Sequence, residues 1–304
     1  MIKKVLKRLF NVIGYTVTKN PRQAANGLSS IKIGSYYLKI NNNNGIKYCY
    51  ENYKDYGSQL TRLTALVHKY HSNLTVVDIG ANLGDSVSLI KSGADVPVVS
   101  IEGDKAITGL FKTNTSQFKD VKLINAFLSD HTGELKCTFS KEGHNLTLNT
   151  SATEKKQQVI DVLDIDTLYK NGSIDKYCKL LKIDTEGFDL KIIKGGKTFL
   201  SDIKPVILFE FNRDNLADTE VDAFTIFPWL LDKGYNLIMF YESDGRFMFS
   251  SVLNNLSFLR QLYEYIDGRN AKIYYTDIVV FHSQDDRMAR DFISTEEKHR
   301  LSHS

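Results

Sequence analysis

Two stretches a hundred residues apart constrain this chain most: VVDIGANLGD at residues 76–85 and LLKIDTEGF at residues 180–188. Each is a short apolar run that breaks into acids and glycine, the pattern of a buried strand delivering polar groups to the rim of a sheet. In an open α/β sheet a ligand lies outside the carboxyl ends of the strands, where loops and helix N-termini converge. Asp78, Asp184 and Glu186 are therefore expected at that edge. Gly80 and Gly84 remove Cβ atoms at a tight turn, and a helix starting near Gly84 offers unpaired N–H groups. A three-glycine pyrophosphate grip is excluded, because G-x-G-x-x-G needs glycine at position 82, where Asn82 stands.

The run PVVSIE at residues 97–102 reads as a second strand ending in a carboxylate, Glu102, 24 residues after Asp78. That is the range in which such folds place a ribose-binding acid. A cofactor with a ribose and no phosphate suits the pattern, and S-adenosylmethionine has that chemistry.

Several segments together resemble the FkbM-type S-adenosylmethionine-dependent methyltransferases: VVDIGANLGDS from residue 76, VVSIEGD from 98, INAFLSDHTGE from 124, LLKIDTEGFDLKIIKGG from 180, VILFEFN from 206 and TDIVVFH from 276. The resemblance implies a seven-stranded, mostly parallel Rossmann-like sheet with helices on both faces and one antiparallel strand near the edge. It also implies that Asp78, Gly80, Asn82 and Gly84 line the methionine end of the cofactor, that Glu102 takes the ribose hydroxyls, and that Ser129 and Asp130 lie near the adenine. Asp184, Glu186 and Glu210 are the candidates for catalysis, as a base for a protonated alcohol or as oxygen ligands of a divalent cation. The expected activity is O-methyl transfer to a hydroxyl of a carbohydrate or glycolipid, in surface-polysaccharide or natural-product biosynthesis. Two alternatives stay open: a nicotinamide-dependent oxidoreductase, disfavoured by Asn82, and a non-catalytic membrane-associated module that binds a nucleoside or glycan.

The expected organisation is a basic helix at 1–14, an N-terminal extension or lid at 15–73, the methyltransferase domain at 74–284 and a polar tail at 285–304 whose end frays. Six basic residues and no acid occupy the first 22 positions, so with a net charge of +3 the remaining chain carries −3. No basic stretch interleaved with aromatics marks a nucleic-acid surface. Apolar residues at 2, 5, 6, 9, 10 and 13 share one helical face opposite Lys3, Lys4, Lys7 and Arg8. Such a helix is too short to span a bilayer, and either lies on an anionic membrane surface or docks on its own domain. The location expected is cytoplasmic, peripheral at the inner membrane face if the helix binds lipid. Three scattered cysteines, Cys49, Cys137 and Cys178, suit a reducing compartment.

The extension, with strands expected at 30–33 and 36–40 and a helix at 59–70, has too few apolar residues for a core of its own. Six tyrosines crowd it (Tyr36, Tyr37, Tyr48, Tyr50, Tyr53, Tyr56), as packing or as an acceptor-recognising lid. A third strand is expected at 121–127, a hairpin arm at 135–139 and a polar, irregular excursion at 140–158 holding His144. The last strands are expected at 206–211, 235–241 and 273–281, with Asp244-Gly245 as a turn.

Overall fold

A computed structural model describes residues 27–42, 44–142, 145–150, 157–212, 222–266 and 275–303. The basic helix expected at 2–13 and His144 lie outside the described residues.

The sheet forms where buried apolar runs leave no solvent face. Strand β3 (Thr75–Ile79) is buried at all five positions and β4 (Val98–Ile101) at all four, the signature of parallel strands covered on both sides. With β5 (Val121–Ile124), β10 (Cys178–Ile183), β11 (Val206–Asn212), β12 (Tyr235–Glu242), β13 (Phe247–Val252) and β14 (Tyr275–His282) they make an eight-stranded sheet ordered β13-β12-β14-β11-β10-β3-β4-β5. The strands from β11 to β5 in that order pair in parallel, and β14 runs antiparallel between β11 and β12. The direction of winding reverses between β3 and β10, so the edge above those two strands is the topological switch point.

The seven strands expected become eight because FMFSSV, beyond the Asp244-Gly245 turn, folds back on β12 as a hairpin. The strand expected at 121–127 divides. β5 stops at Ile124, Asn125 leaves the ladder with its Nδ2 donating to the Glu102 carbonyl at 2.7 Å, and β6 (Phe127–Leu128) joins a second sheet. That sheet is ordered β6-β9-β7-β8, with β7 (Gly133–Glu142), β8 (Asn145–Asn149) and β9 (Gln158–Leu163). The excursion expected to be irregular thus contributes the paired strand β8: its alternating Asn-Leu-Thr-Leu-Asn suits a ladder despite its polarity.

Side chains alternate between two cores. Val77, Leu181 and Ile207 face a cluster with α5 (Ile165–Lys170), α6 (Asp189–Lys194), α7 (Lys197–Ile203) and α8 (Ile226–Asp232). Val76, Leu180, Leu208 and Met239 face the other, built with α2 (Ser58–Tyr70) and α3 (Asp85–Gly93). The antiparallel pair β1 (Leu28–Ile33) and β2 (Tyr36–Asn41) adds Ile31, Ile33, Leu38 and Ile40 to this second core, so the described part of the extension shares the core of the main sheet.

The polar tail folds as the helix α10 (Asp286–His303). Its polarity belongs to the outer face, while Met288, Ala289, Phe292 and Glu296 recur at helical spacing and are buried. Glu296, with no exposed surface, accepts from Arg62 Nε at 2.6 Å and Nη2 at 2.7 Å, which ties α10 to α2. No described helix is long and apolar enough to cross a membrane.

Removing one partner of a buried ion pair strands the other. Glu296→Ala is therefore expected to lower unfolding free energy by about 3–5 kcal/mol, read from urea denaturation. A loss below about 1 kcal/mol, the worth of an exposed pair, would show that the bridge does not anchor α10.

Candidate active site

Register places the polar side chains in rows across the sheet. Residues opposite one another on adjacent strands point to the same face. Asp78 on β3 stands opposite Lys182 on β10, and Glu210 on β11 stands opposite Asp277 on β14. The strand ends are fastened together: Gly80 N donates to Ile101 O at 2.9 Å, Glu102 N to Ile124 O at 3.0 Å and Asp184 N to Ile79 O at 3.1 Å. Gly80, at φ +75°, is required by that closeness, since a Cβ there would sit 1.8 Å from the Asp184 carbonyl oxygen.

Above this edge opens a cleft of about 690 Å³, in the size range of small-molecule sites. Of the residues singled out from the sequence, Gly80, Asn82, Glu102, Asp184, Glu186 and Glu210 line it. Asn82, in the left-handed region at φ +44°, turns its backbone N–H onto Glu102 Oε2 at 2.9 Å, and Asp104 N donates to Glu102 Oε1 at 2.8 Å. Burial pushes the Glu102 carboxyl above its ordinary pKa, although these two N–H groups favour its charged form. Each carboxylate oxygen is held in place and keeps a lone pair for a ligand.

Four expected residues stand outside the cleft wall. Asp78 lies one step deeper, buried, where it accepts from Ser86 Oγ at 2.5 Å and pairs with Lys182 Nζ at 3.4 Å. Gly84 starts α3 at φ +89° against Thr115 and Phe111. Ser129 and Asp130 pack beside Gly195, and Asp130 turns to His131 Nδ1 at 2.8 Å. Ala126, Phe127 and Leu128 supply the wall in their place.

Lys182, which sequence reasoning passed over, is 8% exposed and lines the cleft. It donates to the Gly80 carbonyl at 3.1 Å and pairs with Asp184 Oδ2 at 3.5 Å as well as with Asp78. Burial disfavours its charge, but Asp184, Asp78 and Asp85 outweigh that and raise its pKa above the ordinary value. The signal was present: a lysine inside an apolar strand. Asp85, on the first turn of α3, was missed too; Tyr50 Oη donates to its Oδ2 at 3.2 Å, and burial foremost pushes its pKa up to about 6.

Beside Asp184 and Glu210 lies Asp189, 1% exposed, accepting from Thr185 N and Oγ1 at 3.2 and 2.8 Å and from Glu210 N at 3.3 Å. Burial and Asp184 push it up to about 6. Glu186 occupies the left-handed region at φ +53°, an uncommon and strained place for a non-glycine residue, of the kind found at functional sites. The extension reaches over the cleft with α1 (Gly45–Asn52), contributing Tyr48 and Cys49, and with Tyr56 beyond it. Among the described residues, no three His, Cys, Asp or Glu side chains are gathered as for a metal ion.

A family model described as the methyltransferase FkbM domain matches residues 78–237, over half of the chain. The chain belongs to the FkbM methyltransferase family. The match sets aside the oxidoreductase alternative. It runs from Asp78 into β12, so the FkbM domain proper includes the β3 and β10 edges, while Asp277 and the extension lie outside it. An FkbM methyltransferase from Methylobacillus flagellatus is 16% identical, with a TM-score of 0.40 over 69% of this chain and 44% of that one. The chain thus spans less than half the length of that protein. A precorrin-6y C5,15-methyltransferase from Geobacter metallireducens is 14% identical over 69% and 79% of the two chains, with a TM-score of 0.32. Fibrillarin from Methanococcus jannaschii is 11% identical over 88% and 86%, with a TM-score of 0.41. Comparison with curated proteins gives no match.

The family implies S-adenosylmethionine, and the cleft suits it. Glu102 offers a fixed carboxylate to a pair of vicinal hydroxyls, and Asn82 Oδ1 is buried with no hydrogen-bond partner in the protein.

Buried acids with raised pKa set a pH dependence. Asp85 and Asp189 near 6 and Asp277 near 7 hold protons that the unfolded chain has released by about pH 4. Their stabilising contribution is complete below about pH 4 and is lost as pH rises through 6 to 7. Asp85→Asn is therefore expected to gain stability relative to the native protein as pH goes from 5 to 8, seen in thermal melts without ligand. A Tm difference that stays constant over that range would mean that Asp85 ionises as an ordinary carboxylate.

Proposed function

We propose that this methyltransferase transfers a methyl group to a hydroxyl oxygen of a carbohydrate or glycolipid. The observation that carries the reading is that one cleft holds the anchored carboxylate Glu102 at one end and three acids, Asp184, Glu186 and Glu210, at the other. Bound there, S-adenosylmethionine would supply a methyl carbon attached to positively charged sulfur. The protein's task is then to hold an acceptor oxygen in line and to take its proton.

The acids differ in fitness for that task. Asp184 keeps 49% of its side chain exposed and is engaged by Lys182 Nζ at 3.5 Å. Glu210 is raised well above an ordinary glutamate by burial and then by Asp184, Glu186 and Asp189, so its carboxylate takes a proton readily. We assign Glu210 as the base, with Asp184 and Glu186 positioning the acceptor. Tyrosines 48, 56 and 275 on the cleft wall supply ring faces of the kind that pack against sugars. Association with the inner face of a membrane remains part of this proposal through residues 2–13.

Two outcomes are expected. Charge-assisted hydrogen bonds to a ligand are worth roughly 1.5–3 kcal/mol, so Glu102→Ala should weaken S-adenosylhomocysteine by about ten- to a hundredfold in calorimetry; an unchanged Kd would remove Glu102 from the site. With labelled S-adenosylmethionine and a cell-envelope glycan extract, the native chain should transfer label, and Glu210→Gln should lose about 10²–10⁴-fold in turnover while still binding S-adenosylhomocysteine. Cofactor binding without label transfer to any glycan fraction would favour the non-catalytic module.

A further inference from the structure

The acid best placed as a base has a partner that the family match does not reach. Glu210 and Asp277 are opposite residues of the antiparallel β11–β14 ladder, so their side chains leave the same face of the sheet with Cβ atoms about 4.5–5.5 Å apart. Asp277 is also tied to the extension: Gln59 on α2, 3% exposed, donates through Nε2 to Asp277 Oδ2 at 2.8 Å. The groups around the pair are mostly acidic. Asp184 follows β10, Glu186 stands in the loop beyond it, and Asp189 is on α6. On β12 the residue opposite Asp277 is Tyr241, whose phenol burial keeps protonated. Among the described residues acting on Asp277, the cation is Lys182, which is already engaged by Asp78, Asp184 and the Gly80 carbonyl.

We propose that Asp277 is a positioning residue that acts through Glu210: the two carboxyl groups form a pair that takes up one proton between them, and Gln59 fixes Asp277 in it. This rests on the reading of Glu210 as the acceptor-side base. Two buried carboxyl groups side by side cannot both stay ionised cheaply, so the pair binds its first proton more tightly than either acid alone would, and the charge on Asp277 thereby makes Glu210 the stronger base. Burial, followed by Asp184, pushes Asp277 up to about 7, and Asp277 is among the charges that raise Glu210. In transfer, the acceptor hydroxyl loses its proton to the Glu210 carboxylate as its oxygen takes the methyl group, and the pair holds that proton. The electron pair of the broken C–S bond stays on sulfur, so atoms and charge balance. The arrangement also gives the N-terminal extension a chemical role, because the hydrogen bond that holds the pair comes from α2.

The test needs no acceptor. The full chain, labelled with ¹³C at Asp and Glu carboxyl carbons, is titrated by NMR, with Glu210→Gln and Asp277→Asn identifying the two resonances. In the native chain both are expected to titrate above the ordinary carboxyl range and to respond to each other. Asp277→Asn should lower the Glu210 midpoint by about one unit or more, the effect of removing a neighbouring like charge. Gln59→Leu removes a donor that favours ionised Asp277, so the Asp277 midpoint should rise and that of Glu210 should move with it. A Glu210 midpoint indifferent to Asp277→Asn overturns the proposal, since a purely structural Asp277 would leave it alone. If that variant does not fold, Gln59→Leu decides, and two midpoints that shift independently overturn it equally. Calorimetry with S-adenosylhomocysteine on the native chain separates the two levels: coupled titration without binding keeps the pair and sinks the reading of the cleft, whereas binding without coupling does the reverse.

Discussion

A single buried ammonium organises the edge of this sheet. Lys182 is the next-to-last residue of β10, whose other side chains are apolar except Lys179, and it connects Asp78 on one side, Asp184 on the other and the Gly80 carbonyl just beyond β3. Without it, Asp78, Asp85 and Asp184 would repel one another in a region where burial already penalises charge. The lysine in turn is kept charged by those acids. The pairing is mutual, and it lies at the point where the winding of the sheet reverses.

From that point outward, geometry follows from register. Gly80 lets the ends of β3 and β10 touch, Asn82 takes a left-handed turn, and its backbone N–H then meets Glu102 from the neighbouring strand. The Glu102 half of the cleft is thus built by backbone groups and one fixed carboxylate. The opposite half is built differently, by Glu210 on β11 and by Asp184 and Glu186 in the β10–α6 loop, with Asp277 on β14 standing beside Glu210 because their strands are paired. Raised pKa values on that side are the cost of the arrangement and also the source of its basicity.

Pieces remote in sequence complete the site. The extension supplies Tyr48, Cys49 and Tyr56 to the cleft wall and Gln59 to Asp277. At the other terminus, α10 holds α2 through Glu296 and Arg62, and His299 reaches Asp55 at 3.0 Å, one residue before Tyr56. The segments outside the family match therefore support the site as well as enlarging the core.

The sequence by itself determined the parallel strands, the family and the carboxylates at the ends of β3, β4, β10 and β11, because buried runs that break into acids and glycine are local patterns. It also identified Asn82 as incompatible with a dinucleotide grip. Tertiary structure alone decided which acids enter the cleft. Asp78 and Asp184 look alike in sequence, yet one is buried beneath the floor and the other is half exposed, since the closing distance between two strands is not written in either strand. Asp277 and Gln59 gave no local signal, being 218 positions apart and joined only by packing of α2 over β14. The tail reads only as polar for the same reason: four buried side chains in eighteen residues make a helix only when another surface exists to cover them.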